Sequence, residues 1–215
     1  MTTFERTSRT VSLRERDRMS YDRAEAHSIL DEAWHCTLAF VVDGGPRALP
    51  TLHVRVGDTL YVHGSTGSRP YLAARQSGLP VCVSVTLLDG LVLARSQFHH
   101  SANYRSVVAH GIATLVTDDE AKTAVLAALV DKIGAGRSAE TRPPSLKELA
   151  QTSILALPLT EVSVRSRTGG VNDDADDLDL PYWAGVVPLR TVQGSPTPDR
   201  GVILPTPDYL LSGTG

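Results

Sequence analysis

The chain has 215 residues, 41% hydrophobic and 21% charged, with 21 Lys and Arg against 24 Asp and Glu and a formal net charge of -3. This fits one domain or one domain with a tail, excludes wholesale disorder, and lacks the basic footprint of a dedicated nucleic-acid binder. No apolar run nears the roughly 20 residues that span a bilayer, Met1 to Arg18 carries no apolar signal stretch, and two cysteines outside any CxxC suit a reducing cytoplasm.

Residues 1–18 show no periodicity and read as an N-terminal arm. Ser20 is an expected N-cap for a helix near 21–32, with Asp22 in its first turn. Period-two patterning then predicts strands over 36–42, 47–56 and 59–63, joined at Asp43-Gly44-Gly45-Pro46 and Gly57-Asp58. Pro50 removes a ladder donor, so it belongs at an edge, a bulge or a site opening. A small-residue loop, 64–68, leads to a short helix, 69–76, with Pro70 in its first turn. Strands follow over 79–86 and 91–95, with a hairpin expected at Asp89-Gly90. Residues 96–105 are polar and aromatic, and 106–116 is a long strand whose Gly111 marks a bulge or a close backbone approach. Thr117-Asp-Asp-Glu120 starts a helix with Val125, Leu129 and Ile133 on one face. A second short helix lies near 145–150, and a strand near 153–165. Beyond 167 come an acidic run, 173–179, and a Pro-rich tail with one apolar island, 182–189.

Six or seven antiparallel strands with two or three helices predict a mainly β chain, a small β-barrel with peripheral helices. Aromatics make up only 5%, so the core must be built from Val, Leu, Ala and Ile.

Several segments could carry chemistry. Gly64-Ser-Thr-Gly-Ser-Arg69 follows a strand and opens a helix. Its hydroxyls, free N–H groups and guanidinium suit a mononucleotide phosphate. Its spacing is neither a P-loop nor GxGxxG, and a flexible capped connection is the competing reading. His99-His100, with Ser101, Asn103, Tyr104 and Arg105, could face a planar ligand or a second subunit. As neighbours on a strand the two histidines would point to opposite faces and make poor joint metal ligands. His53 and His63 could face each other across their strands and line a pocket or offer an axial haem ligand; the alternative is packed core or rim histidines. No residue stands out as catalytic and no metal site is expected. The acidic run reads as a solvated linker. Trp183 must find cover, by closing the barrel, by lying over a ligand, or by docking the tail.

A set of motifs stands in order along the chain: Ser20-Tyr-Asp-Arg23, Leu49-Pro-Thr-Leu52, His63-Gly-Ser with Ser68-Arg69, and Leu79-Pro-Val-Cys-Val83. Then come Thr86-Leu-Leu-Asp-Gly-Leu-Val-Leu-Ala-Arg-Ser96, Phe98-His-His-Ser-Ala-Asn-Tyr-Arg-Ser-Val107, Arg142-Pro-Pro144 and Trp183-Ala-Gly-Val-Val-Pro-Leu189. Together they resemble the pyridoxamine 5'-phosphate oxidase-like family, in its flavin-nucleotide-binding branch related to nitroimidazole-resistance proteins. The resemblance implies an FMN-binding split barrel, a homodimer with the cofactor at its interface, and a small-molecule substrate. Ser65, Ser68 and Arg69 would hold the phosphate. Pro50, Thr51 and Leu52 would line the flavin ring through backbone groups, with His63 and Gly64 beside the ribityl chain. Asn103, Tyr104, Arg105 and Ser106 would come from the partner subunit, and Trp183 would lie at the mouth. His53 stands where the branch often carries an aromatic, and Thr66-Gly67 replaces a more helix-prone pair.

The expected organisation is an arm over 1–18, a split-barrel domain over 19–166 and an Asp/Pro-rich tail over 167–215. The expected function is an FMN-dependent oxidoreductase in the cytoplasm. The alternatives are a module that only sequesters flavin or haem, and an enzyme using haem or a deazaflavin on the same barrel. Neither nucleic acid nor membrane is an expected partner.

Overall fold

In the computed structural model, residues 2–211 are described. Nine antiparallel strands form one continuous sheet in the order β1-β8-β6-β7-β4-β3-β2-β5-β9, and a further β5–β6 pairing closes it. The strands are β1 (Met19–Ser20), β2 (His35–Val42), β3 (Gly45–Val56), β4 (Thr59–Ser65), β5 (Leu79–Leu93), β6 (Ser101–Leu115), β7 (Thr152–Pro158), β8 (Glu161–Arg167) and β9 (Gly185–Pro188). Six of them, β6-β5-β2-β3-β4-β7, make a closed ring. β8 and β1 extend it from β6, and β9 extends it from β5. The expected barrel is therefore present, with two very short strands at its margins.

Two strands make the ring a split barrel. β3 pairs with β2 from Gly45 to Leu52 and with β4 only from His53 to Val56. β6 pairs with β8 from Tyr104 to His110 and with β7 only at Thr114 and Leu115. Each strand changes neighbours midway, and a residue with a reason sits at each change. At Gly111 a Cβ would stand 2.8 Å from Leu157 Cδ1, so a larger residue would have to displace that buried side chain where β6 crosses. This is the close approach, not the bulge, of the two sequence readings. The bulge lies instead in β5, where the register shifts between Leu88 and Gly90. The hairpin expected at Asp89-Gly90 does not form: β5 runs on to Leu93, because β6 on one side and β9 on the other keep pairing past the turn-like dipeptide.

The barrel is filled by Leu38, Phe40, Leu60, Val62, Val83, Val85, Val107, Leu155 and Leu157, all buried. Alternation places these side chains inward. The helices are α1 (Arg23–Glu32), α2 (Arg69–Ala73), α3 (Asp119–Ile133) and α4 (Leu146–Gln151). Caps set their starts. Asp22, not Ser20, caps α1 by accepting from Glu25 N at 2.9 Å, while Asp118 caps α3 and Ser145 forms a capping box with Glu148. The strand expected over 153–165 divides into β7 and β8 around Leu159-Thr160. The arm lies against the barrel: Phe4 is buried, and Thr7 and Arg9 both donate to Glu161. No helix among the described residues is long and apolar enough to cross a membrane.

His53 pins the corner of β3. It is fully buried, and its Nε2 lies 2.8 Å from Leu30 O and 3.2 Å from Lys132 Nζ; the tautomer with its proton on Nε2 donates to the carbonyl. Lys132 Nζ, from the end of α3, donates to the same oxygen at 2.9 Å. The C-terminus of α1, which has no basic residue of its own, is thus held by the barrel corner and by α3. His53 and Val62 are direct cross-strand partners, so His63 points to the other face of β4. The two histidines do not face each other.

Burial first, and the neighbouring Lys132 ammonium second, push His53 from its ordinary 6.5 down to about 4. Burial likewise lowers Lys132 to about 8. Below pH 6.5 the unfolded chain therefore binds a proton at His53 that the folded chain refuses until about pH 4. Stability from this residue is complete above pH 6.5 and is lost as pH falls to 4. Lys132 is protonated in both states across that window and adds no slope. The expected loss is up to about 3 kcal/mol. His53→Gln keeps a donor for Leu30 O but does not titrate. Urea unfolding from pH 7.5 to 4.5 should show a steeper acid decline in the native chain than in H53Q. Parallel curves would remove His53 as the cause.

Candidate functional site

The ladder between β3 and β4 stops at the His53–Val62 pair. Beyond it the two strands part. Pro50, Thr51 and Leu52 remain on β3, paired only with β2, and His63, Gly64 and Ser65 remain on β4, paired with β7. One edge of β3 from Gly45 to Leu52 therefore faces no strand among the described residues. Pro50 sits on this open half-strand, which is the site-opening position its missing N–H required. Its side chain and that of Leu52 are exposed.

The loop after β4 is ordered by backbone bonds. Thr66 N and Oγ1 donate to Gln151 O and Ala150 O, both at 3.0 Å, and Ser68 N donates to Ser65 O at 2.9 Å. Ser68 is the residue before α2, but its hydroxyl donates back to Ser65 O at 3.0 Å rather than capping the helix. Ser65 is exposed with no side-chain bond among the described residues. Arg69 is exposed and reaches Asp43 in the β2–β3 turn. Gly64 has a packing role: a Cβ there would lie 2.6 Å from the Tyr71 ring. His63 is half-buried, its Nδ1 is buried without a partner, and burial lowers its pKa. The structure thus gathers Pro50, Thr51, Leu52, His63, Gly64, Ser65, Ser68 and Arg69 around one split.

Asn103, Tyr104, Arg105 and Ser106 lie elsewhere. They sit on β6, which β5 and β2 separate from β3 and β7 separates from β4, and they lie eight or more residues along β6 from Thr114, where β6 meets β7. From β3, three strand spacings amount to roughly 14 Å of wall. Asn103 bridges Gly169 O and Arg167, and Ser106 Oγ donates to Arg165 O at 2.9 Å. Arg105 is engaged on both sides of its guanidinium. Nε and Nη2 donate to Asp89 at 2.9 and 2.8 Å, and Nη1 and Nη2 donate to Glu32. This fork-to-carboxylate geometry ties the end of α1 to the β5 bulge. It raises the guanidinium pKa and lowers that of Glu32.

Three expectations change here. His99 and His100 are not on a strand: a 3-10 turn spans Gln97–His99. His99 Nε2 meets Asp174 at 3.1 Å, and His100 Nδ1 donates to Ser96 O at 2.9 Å. The acidic run is not merely solvated, since the Asp173 side chain is only 1% exposed and accepts from Arg95 N at 3.1 Å and Nη1 at 2.8 Å. The signal missed in the sequence was Arg95, seventy-eight positions away. His99, Asp174 and Asp177 bring ligand-type atoms within 4.8 Å of one another. Trp183 is 67% exposed, so it neither closes the barrel nor finds full cover. Its ring lies over Gly185, where a Cβ would come within 2.9 Å. Both cysteines are free, and burial raises Cys36 to about 12 and also raises Cys82, so neither is a ready thiolate.

The barrel and its tail have close counterparts. The flavocytochrome Anf3 of Azotobacter vinelandii is 34% identical and superposes with a TM-score of 0.90, over 96% of this chain and 97% of its own. A protein of Mycobacterium smegmatis described as FAD and haem binding is 42% identical at a TM-score of 0.85, over 92% and 98%. A Bacteroides thetaiotaomicron protein, described as a candidate 5-nitroimidazole antibiotic resistance protein, shares the fold at 18% identity and a TM-score of 0.57. It covers only 68% of this chain and 84% of its own. No curated protein matches at a significant level. The profile described as pyridoxamine 5'-phosphate oxidase matches residues 22–166, the whole barrel from α1 to β8. With that match over more than half its length, the chain belongs to the pyridoxamine 5'-phosphate oxidase-like family of flavin-binding split barrels.

Proposed function

We propose that this chain is a flavin-binding, redox-active protein that also holds haem and works as a homodimer. The observation that carries this reading is the similarity to the flavocytochrome and to the FAD- and haem-binding protein over more than nine-tenths of every chain involved. Such coverage takes in most of the tail, which the family profile leaves out.

The split between β3 and β4 supports the flavin part. Ser65 and Arg69 offer a hydroxyl and a guanidinium to one phosphate, and Ser68 can turn its hydroxyl outward. The open half of β3 offers unpaired backbone groups to the polar edge of a flavin ring. When bound, the flavin supplies hydride and electron transfer and the haem supplies one-electron transfer. The chain's part is to bind, orient and shield. His63 suits an iron ligand: burial keeps it neutral, and it makes no hydrogen bond among the described residues. The FMN expected from the sequence and FAD share the loop's phosphate chemistry.

The separation of the two halves of the expected site supports the dimer. Residues 103–106 stand apart from the split, with β2 and β5 between β3 and β6 in the same chain. A second copy can supply them. The open edge of β3, with Val41, Leu49 and Leu52 exposed beside it, offers a surface for that copy. Two free cysteines suit a reducing cytoplasm as the setting.

An absorption spectrum of the purified protein tests the reading. Flavin bands that bleach with reductant and return in air, together with a Soret band, are expected. A flavin spectrum that no reductant alters would favour the sequestering module, and a colourless protein that takes up neither group would end the cofactor reading. Arg69→Ala should weaken flavin binding by about ten- to a hundredfold, from the roughly 1.5–3 kcal/mol of a charge-assisted bond. Fluorescence titration measures this, and an unchanged affinity would misplace the phosphate.

A further inference from the structure

A second concavity lies at the barrel rim, where the tail leaves β9. It encloses about 520 Å³ between Trp34, Leu88, Glu32, Asp89 and Arg105 on the barrel and Arg190 on the tail. Its chemistry is specific. Trp34 is 39% exposed in the wall and presents indole surface for stacking. Glu32 and Asp89 are held in place by Arg105, yet each carboxylate has lone pairs left over after that pairing. Arg190 is exposed and makes no ion pair or hydrogen bond among the described residues. A planar base on an indole, hydroxyls or an amine donated to fixed carboxylates, and a phosphate on a free guanidinium describe one kind of ligand. Carboxylates play this part toward ribose in dinucleotide sites, and aromatics play it toward bases.

We propose that this cleft takes the adenosine end of a dinucleotide together with the phosphate next to it. The loop over 65–69 presents one guanidinium, enough for one phosphate. A second phosphate and an adenosine need another cation and another platform, and the cleft has both. Two sources share this chemistry: FAD and reduced nicotinamide adenine dinucleotide. For FAD the inference rests on the flavin reading above, whichever copy's loop holds the flavin phosphate.

Calorimetry on the full chain, with ADP, FMN, FAD and reduced nicotinamide adenine dinucleotide as separate probes, tests it. ADP should bind the native protein. Trp34→Ala should weaken ADP and FAD by about tenfold, the scale of a lost base stack, with Trp34→Phe recovering most of it. Arg190→Ala should weaken both by about fivefold, with Arg190→Lys intermediate. FMN should stay within about twofold throughout. Both residues are surface-exposed, and circular dichroism checks that the variants fold. ADP that displaces FAD identifies FAD as the source; ADP that displaces only the nicotinamide dinucleotide identifies the other, and either sustains the cleft. ADP binding without any flavin binding would sink the flavin reading and leave the cleft standing. FMN and FAD binding with no ADP binding would overturn the cleft alone. So would equal losses of FMN and FAD in Trp34→Ala.

Discussion

His53 Nε2 and Lys132 Nζ converge on one carbonyl oxygen, that of Leu30 at the end of α1. This contact stands where β3 leaves the β2 ladder and joins β4. A buried carbonyl needs a partner, and leaving it bare costs about 1–3 kcal/mol. Two donors meet that need, and in doing so they bind α1, the barrel corner and the last turn of α3 into one unit. Both donors are pushed toward their neutral forms, chiefly by burial, and for His53 also by the Lys132 ammonium.

The split depends on that corner. With β3 fixed at His53, its first half can stay with β2 while β4 turns away, and an edge opens between them. An open edge in a small barrel is ordinarily a hazard for unwanted pairing. Here it carries a proline and lies beside a small polar loop, which suits it to the ligand and the second copy proposed above. Arg105 acts in a parallel way at the other wall. Its two carboxylates fix the β5 bulge and the end of α1, and they leave Trp34 and the tail to frame a cleft.

Much of the fold was legible from local pattern. Strands β2, β3, β4 and β6, the approximate starts of α3 and α4, and a special role for Gly111 each rest on interactions within a few residues or on a single side-chain absence. Asp89-Gly90 misled because a turn-forming dipeptide is only a local preference, and continuous pairing on both flanks of β5 overrides it. His99-His100 misled for a related reason: the histidines are placed by Asp174 and Ser96 O, not by strand alternation. The candidate site was legible in part. Pro50 and the loop at 65–69 announced themselves by composition. The cleft did not, because Trp34, Asp89, Arg105 and Arg190 are far apart in sequence and none belongs to a spaced motif.

The sequence by itself determined a mainly β barrel with a core of Val, Leu, Ala and Ile, an arm, a tail, and a small polar loop suited to phosphate. Those follow from periodicity and residue chemistry, which are local properties. Only the tertiary structure decided that His53 is a buried strut while His63 lies on the opposite face, since one register pair sends adjacent side chains to opposite faces. It also decided that the Asp173 side chain is covered by its pairing with Arg95, that Trp183 is largely exposed, and that residues 103–106 stand on a different wall from the loop. These depend on which strands lie side by side around a closed ring, and ring order comes from long-range pairing that no short window of residues contains.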